Sequence, residues 1–210
     1  MKKYELTTET LQYARHTLHR IKALKDFGII NAGELGGWIE KEENLSQYGN
    51  AWVYGDSMVY DNAIVSDNAW IYCNAKVYDN ANVCDNAIIR DHARVFGNAL
   101  VSDNADIFHY AMICGYVEVC GNAEIRNAKV YDNKDYIVFK NFWSSGRYFT
   151  WTRSNNKWSV GCFYGSAEEL IKKAYADSEK SGKEYERVVR YVESILADEQ
   201  KNKQLKQKEK

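Results

Sequence analysis

The chain has 210 residues, with 28 Lys and Arg against 29 Asp and Glu, so its formal net charge is −1. This balance does not favour nucleic acid or an anionic membrane as a partner. The longest apolar runs are a handful of residues, far short of the ~20 that a transmembrane helix needs, so no membrane association is expected.

The N-terminal stretch MKKYELTTETLQYARH has two lysines but no apolar segment behind them, so it does not read as a secretory signal. The five cysteines are an odd number and none forms a CxxC pair, which favours reduced thiols over a disulfide framework. Both features predict a cytoplasmic protein.

Residues 1–48 are predicted to be an N-terminal capping segment. TLHRIKALKDF alternates like a strand, and GELGGWIEKEENLSQ leads into the repeat that follows. The first coil of a repeat protein exposes apolar side chains and strand edges unless something covers them. Trp38, Ile39 and Leu45 are the residues expected to plug that end.

Residues 49–132 contain a hexapeptide repeat. Steps of six from Val53 to Ile125 meet Val or Ile every time, and the residue two before each is nearly always alanine, usually preceded by asparagine. One β-branched and one small residue per six predict a triangular parallel β-helix in which three hexads close a coil. The aliphatic residues would point inward, the alanines would fit the corners and the asparagines would serve the turns. The sequence therefore predicts an all-β solenoid of a little over four coils.

Over about residues 49–126 this repeat resembles the left-handed β-helix, or hexapeptide-repeat, family. The resemblance implies left-handed winding, homotrimers with parallel axes, and ligands in the clefts between subunits. RIKALKDFGIINAGELGGWIEKEENLSQYGNAWVYG and GRYFTWTRSNNKWSVGCFYGSAEELIKKAY resemble uncharacterised repeat proteins of bacteria and their phages, which are often labelled transferases because of the repeat alone. If the chain is phage-encoded, its expected compartment is the host cytoplasm.

Three hexads per coil sort the outward residues into three sides. On the first side, the residues that directly follow each core Val or Ile are Tyr54, Tyr72, Arg90, Phe108 and Arg126. The residues that directly precede them are Trp52, Trp70, Ile88, Asp106 and Glu124. The second side carries Tyr60, Tyr78, Phe96 and Cys114, and the third carries Ser66, Cys84, Ser102 and Cys120. Aromatic ladders of this kind usually mark a protein interface, which predicts a homotrimer that buries an aromatic side against a neighbour's small-residue side.

The same residues also suggest a ligand site, because arginine beside tyrosine suits a phosphate and a stacked base. The candidate ligand-binding residues are Tyr54, Tyr72, Arg90, Arg94, Arg147 and Arg153. Residues 49–126 contain ten Asp and Glu against four Lys and Arg, which disfavours direct DNA binding.

An enzymatic interpretation has less support. Hexapeptide acyltransferases, which this chain resembles in its repeat, use one histidine as general base, with acyl-CoA lying along the cleft. His92 and His109 are the alternative catalytic candidates, but no inserted loop interrupts residues 49–126 to shape an acceptor pocket. The three-histidine zinc pattern of the gamma-class carbonic anhydrases is not met, since His16 and His19 lie outside the repeat, so no metal is expected.

Residues 133–198 are predicted to form a small α+β module. YIVFKNF, RYFTWTRS and KWSVGCFYG read as three strands, Ser166 and Glu169 as a capping box, and a second helix is expected from about Lys183. The polar residues 199–210 are predicted to be a disordered tail.

Together these patterns predict an all-β solenoid with a small C-terminal α+β module, acting without a cofactor as a non-enzymatic binding protein. As a homotrimer it would capture a small anionic, nucleotide-like ligand or block a host defence protein. The alternative is a hexapeptide-repeat acyltransferase that uses acyl-CoA.

Overall fold

The computed structural model describes residues 2–208. The chain divides into two compact units, one formed by Met1–Val138 with Thr150–Asn156 and the other by Phe139–Phe149 with Lys157–Lys210. The predicted solenoid, residues 49–132, lies within the first unit, and the predicted module, residues 133–198, contributes residues to both units.

The first unit begins with a β-hairpin. Strands β1 (Tyr4–Tyr13) and β2 (His16–Ala23) pair antiparallel, and β2 pairs antiparallel with β3 (Leu35–Ile39). Strand β3 then pairs in parallel with the second strand of the solenoid, through Trp38 with Met58 and Ile39 with Val59. The N-terminal segment thus continues one sheet of the solenoid and covers its first strand edge.

Fourteen short strands follow and build the solenoid. They are β4 (Trp52–Val53), β5 (Met58–Val59), β6 (Ile64–Val65), β7 (Trp70–Ile71), β8 (Lys76–Val77), β9 (Asn82–Val83), β10 (Ile88–Ile89), β11 (Arg94–Val95), β12 (Leu100–Val101), β13 (Asp106–Phe108), β14 (Met112–Ile113), β15 (Glu118–Val119), β16 (Glu124–Arg126) and β17 (Lys129–Val130).

These strands stack in three parallel sheets, as the repeat predicts. The first side has the order β4-β7-β10-β13-β16, the second β5-β8-β11-β14-β17 above the hairpin, and the third β6-β9-β12-β15. Partners in one sheet are 18 residues apart, as in Ile71 with Ile89, until Ile113 pairs with Val130. That last pair is 17 residues apart, so the register slips by one residue near the end of the repeat.

The solenoid interior consists of the repeated aliphatic and alanine residues. The Val or Ile at each six-residue step from Val53 to Ile125 is fully buried, and the alanines two residues before them expose at most 1% of their surface. Ile39 and Leu45 join this core as predicted, but Trp38 does not. Successive residues of a strand point to opposite faces, so Trp38 packs outside the core against Leu18 and Tyr60.

The corners show what the aspartate and asparagine of each hexad do. Asp61, Asp67, Asp79, Asp85, Asp91 and Asp103 have left-handed backbones with φ of 56 to 60°. Five of these carboxylates also accept a backbone N–H one coil above, as Asp103 does from Gly121 at 2.8 Å, whereas the Asp67 carboxylate accepts from the Ser66 hydroxyl. The asparagines that follow form amide ladders, such as Asn50 to Asn68 at 2.9 Å.

The C-terminal elements are strands β18 (Tyr136–Lys140), β19 (Tyr148–Thr152), β20 (Lys157–Val160) and β21 (Phe163–Gly165), then helices α1 (Ala167–Asp177) and α2 (Glu179–Lys208). KWSVGCFYG was predicted to be one strand, but Gly161 has a left-handed φ of 56° and turns it into the hairpin β20–β21. The predicted capping box is present, since the Glu169 amide donates to Ser166 Oγ and the Ser166 amide donates to Glu169 Oε2.

Helix α2 is longer than expected at both ends. It begins at Glu179 and continues to Lys208, so residues 199–208 are helical where a disordered tail was predicted; residues 209 and 210 lie outside the described part. Lys, Gln and Glu are good helix formers, and pairs such as Lys201 with Asp198 add support. Neither helix of the described chain has an apolar stretch long enough to cross a bilayer.

Candidate ligand pocket and histidine pair

The first side of the solenoid contains a pocket of about 490 Å³, at the strands β4, β7 and β10 nearest its N-terminal end. Its lining residues are Ile29, Ile30, Glu34, Tyr54, Trp70, Tyr72 and Ile88. Most of the lining is aromatic or aliphatic, and Glu34 is its one charged residue. This composition matches that of small-molecule sites, which are mainly apolar with a few polar groups.

Two parts of the chain build this pocket. Tyr54, Trp70, Tyr72 and Ile88 flank the buried aliphatics of three successive first-side strands, so the parallel register stacks them on the outer face. The loop between β2 and β3 supplies the rest, and a bridge between Phe27 and Ile30 shapes it. Ile29 is 78% exposed, which leaves an apolar rim facing solvent.

Arg90 stands next to Tyr72 on the adjacent strand, but its charge is already engaged. Its Nε lies 3.0 Å from Asp106 Oδ1 and its Nη2 lies 2.8 Å from Asp106 Oδ2, so the ion pair is two-pronged. The guanidinium also lies 3.9 Å from the ring centre of Phe108. These hydrogen bonds to Asp106 raise the pKa of Arg90 above its ordinary value.

The C-terminal part of the first side, around β13 and β16, is therefore a packed stack of charged and aromatic groups. The Arg126 guanidinium also lies 4.5 Å from the Phe108 ring centre, and Arg126 belongs to the next strand of the sheet. Phe108 is only 3% exposed. Burial, and then the charge of Asp106, raises the pKa of Glu124 in the same region, while Arg126 and Arg90 oppose that rise.

The structure brings together only part of the predicted ligand set. Tyr54 and Tyr72 line the pocket and Arg90 adjoins it, whereas Arg94 belongs to β11 on the second side. Arg153 donates through Nε and Nη2 to the Lys134 carbonyl at 3.1 and 3.0 Å and holds a turn of the first unit. Arg147 belongs to the second unit.

The alternative catalytic histidines occupy a corner that follows the first side. His109 Nδ1 lies 2.9 Å from Asp91 Oδ2, and the His109 ring is 45% exposed. His92 instead stacks on Tyr110 with ring centres 5.0 Å apart. A carboxylate on Nδ1 orients the imidazole and leaves Nε2 free, which is an arrangement that general bases use. His109 is therefore the better-placed of the two.

Sequence reasoning missed Ile29, Ile30 and Glu34 as site residues. They precede the repeat, so the hexad periodicity gave them no position on any side. One available signal was the pair Ile29–Ile30 inside a turn-rich stretch, DFGIINAGELGG, where two large apolar residues need an explanation.

Comparison with known proteins gives a limited result. No protein-family profile matches the chain. A segment of 75 residues is 33% identical to the uncharacterized acetyltransferase YdcK of Escherichia coli strain K12, and the match covers 31% of this chain and 23% of that protein. The chain thus matches less than a quarter of that relative's length.

Proposed function

We propose that this protein binds a small molecule in the first-side pocket, and that the ligand is largely apolar with a cationic or hydrogen-bond-donating group. The observation that carries the proposal is the pocket lined by Tyr54, Trp70 and Tyr72 with Glu34 at its edge. Aromatic faces attract cations, and a carboxylate adds a charge partner.

The charges around the pocket favour this ligand over the anionic one expected from the sequence. Glu34 would repel a phosphate, and Arg90 would have to give up Asp106 to bind one. Exchanging one ion pair for another yields little net free energy. A nucleotide-like anion is therefore the poorer match to this lining.

A pair of matched probes tests the charge preference. Tryptamine and indole-3-acetate share one ring system and differ in charge, and binding is followed by calorimetry on the full chain. We expect tryptamine to bind at least tenfold more tightly than indole-3-acetate. The opposite order would overturn the cationic proposal in favour of an anionic ligand, and binding of neither would count against the pocket itself.

Two single substitutions locate the binding. Trp70→Ala removes a pocket wall and is expected to abolish tryptamine binding, while Ile64→Ala removes an exposed aliphatic residue from the third side. Ile64→Ala serves as the matched control and is expected to bind tryptamine like the unchanged chain. Equal losses in both variants would mean that the probe binds elsewhere.

Native mass spectrometry on protein purified gently from its own cells extends the test. A mass increment of one small molecule per chain supports ligand capture and gives the ligand's class. A trimer mass would support the predicted assembly, in which an aromatic side meets a neighbour's small-residue side. A mass without any bound small molecule would instead favour the other version of the hypothesis, in which the protein acts by blocking a host defence protein.

Acyl transfer is the second candidate, favoured by the His109–Asp91 pair and by the name of the partial relative. In this version His109 Nε2 removes a proton from an acceptor amine or hydroxyl, which bonds to the thioester carbonyl carbon of acyl-CoA. The C–S bond then breaks, and the CoA thiolate leaves as a thiol after taking that proton from His109. Release of free CoA from acetyl-CoA would be measured with a panel of amines. Turnover lost in His109→Asn and retained in His92→Asn supports the enzyme, and its absence throughout supports binding alone.

A further inference from the structure

We propose that His16, Glu40 and Asp61 form a binding site for a divalent transition-metal ion of the zinc type. This site is separate from the first-side pocket and does not depend on the function proposed there. It lies where the turn of the β1–β2 hairpin meets the first coil, and only Asp61 of the three belongs to a hexad of the solenoid.

Three segments of the first unit place these side chains together. His16 is the first residue of β2, Glu40 directly follows β3, and Asp61 occupies the corner after β5. The left-handed backbone of Asp61, with φ of 56°, fixes its position at that corner. The Asp61 amide also donates to Glu40 Oε2 at 2.7 Å, which ties two of the three residues to each other.

The distances suit a shared ion. His16 Nδ1 lies 3.0 Å from Glu40 Oε1, and His16 Nε2 lies 3.7 Å from Asp61 Oδ1, which is too long for a hydrogen bond. One ligand atom from each residue can be chosen so that all three lie within 4.8 Å of one another. With metal–ligand distances of about 2.1 Å, two ligands of one ion stand up to ~4.2 Å apart, so small side-chain adjustments suffice.

The imidazole is also held as metal-binding histidines are held. It is only 8% exposed and rests on the Tyr60 ring, with ring centres 4.8 Å apart. Its Nδ1 faces Glu40 and its Nε2 faces Asp61, so the packed ring presents one nitrogen to each carboxylate. The two carboxylates gather negative charge that a divalent cation would neutralise.

A closely similar pair elsewhere in the chain lacks the third group. His109 and Asp91 also form an imidazole–carboxylate contact, at 2.9 Å, but His109 is 45% exposed and belongs to no three-residue group of potential ligands among the described residues. His109 therefore provides a matched control for an effect that any histidine–carboxylate pair would cause.

The test is a titration of the full metal-free chain with Co²⁺ and with Zn²⁺. We expect one Co²⁺ per chain with visible absorption of a low-coordinate site, displacement by Zn²⁺, and a higher melting temperature with either ion. His16→Gln and Asp61→Asn are each expected to weaken binding at least a hundredfold, whereas His109→Gln leaves it unchanged. Co²⁺ absorption that survives His16→Gln, or that disappears in His109→Gln, would overturn the assignment.

A measurement on the unchanged chain guards against a variant that fails to fold. Imidazole resonances recorded by NMR are expected to show the paramagnetic effect of Co²⁺ first at His16 and not at His92 or His109. No saturable binding by absorption, together with no selective effect on His16, would show that His16 only forms a hydrogen bond with Glu40 and overturn the assignment.

Discussion

Arg90 and Asp106 face each other on adjacent first-side strands and share two hydrogen bonds, of 3.0 Å from Nε and 2.8 Å from Nη2. Because this pair neutralises the cation nearest to the pocket, we predict that Asp106→Asn releases Arg90 towards anionic ligands. Indole-3-acetate should then bind about fivefold more tightly, corresponding to ~1 kcal/mol. Calorimetry with the unchanged chain and the variant measures the difference.

Asp67→Asn removes the same charge at a corner remote from Arg90 in the repeat and serves as the control for net charge. An equal gain in both variants would mean that long-range charge, and not the released guanidinium, explains the effect.

Ile88 and Ile89 are neighbours in β10 but face opposite directions. Substituting one should therefore affect mainly ligand binding, and substituting the other mainly stability. Ile89 is fully buried in the solenoid core, whereas Ile88 lines the pocket. We predict that Ile89→Ala lowers the free energy of unfolding by about 2–4 kcal/mol, because it leaves a cavity in a stacked core. Ile88→Ala should cost less than ~1 kcal/mol and weaken tryptamine binding.

Urea denaturation followed by circular dichroism, combined with calorimetry, checks both halves of this prediction. Equal destabilisation by the two substitutions would contradict the inward and outward orientations on which the sides of the solenoid rest.

The solenoid was predictable because each hexad repeats one physical requirement. A β-branched residue such as Val95 must stack on Val77 and Ile113, and an alanine such as Ala93 must fit where coils approach closely. Repetition over many coils makes this pattern far stronger than any single motif. Even the loss of register before Val130 is visible as a change in spacing.

The pocket and the histidine cluster were not predictable in the same way. Glu34 reaches the first side, and His16 reaches Asp61, only because the hairpin and its following loop fold back on the first coil. The sequence period predicts which residues of the repeat are neighbours, but it does not predict which residues of a flanking segment contact the repeat. The extension of α2 was missed for a different reason. Residues 199–208 were predicted to be disordered because they are polar, but a polar segment can form a helix without burying an apolar face.

Asp103 illustrates the role of the turn aspartates and gives a further prediction. Its backbone has a φ of 57°, and its Oδ2 accepts the Gly121 amide at 2.8 Å. Asp103→Ala loses that acceptor and also the short polar side chain that makes a left-handed backbone tolerable, so we expect a loss of about 2 kcal/mol in unfolding free energy. Asp103→Asn retains an oxygen acceptor and tolerates the backbone, so its cost should stay below ~1 kcal/mol.

Urea midpoints of the two variants at neutral pH provide the comparison. If Asp103→Asn is as damaging as Asp103→Ala, the negative charge, and not the turn geometry, is what the corner requires.

Cys84 is predicted to be the unreactive thiol on the third side. Burial, followed by the charges of Asp85 and Asp67, raises the pKa of the Cys84 thiol to about 11. At pH 8 its thiolate fraction should be at least ~100-fold below that of an ordinary cysteine. Iodoacetamide labelling resolved by peptide mass spectrometry should therefore modify the exposed Cys73 and Cys162 well before Cys84. Asp85→Asn should speed Cys84 labelling, and equal rates at all three thiols would contradict the prediction.

The buried Lys3 side chain should contribute to the free energy of unfolding a term that increases with pH in mildly alkaline solution. Its Nζ donates to the Ala51 carbonyl at 2.9 Å. Burial, aided by the charge of Lys25, lowers the pKa of Lys3 to about 8. Between that pH and the ordinary lysine value near 10.4, the unfolded chain binds more protons than the folded one, so the free energy of unfolding increases with pH.

The expected gain is about 2 kcal/mol between pH 8 and pH 10. Burial also raises the pKa values of Tyr4 and Tyr60, and those phenols reduce stability only as pH rises above their ordinary value of ~10, so the measurement stops at pH 10. The raised thiol pKa of Cys84 lowers the stability of the unchanged chain and of Lys3→Met alike above the ordinary value of ~8.5, so the difference between the two isolates Lys3. Urea denaturation across this range should show the unchanged chain gaining about 2 kcal/mol relative to Lys3→Met. Because Met cannot titrate, an identical slope in both proteins would assign the pH dependence to other groups and show that Lys3 stays charged when it is buried.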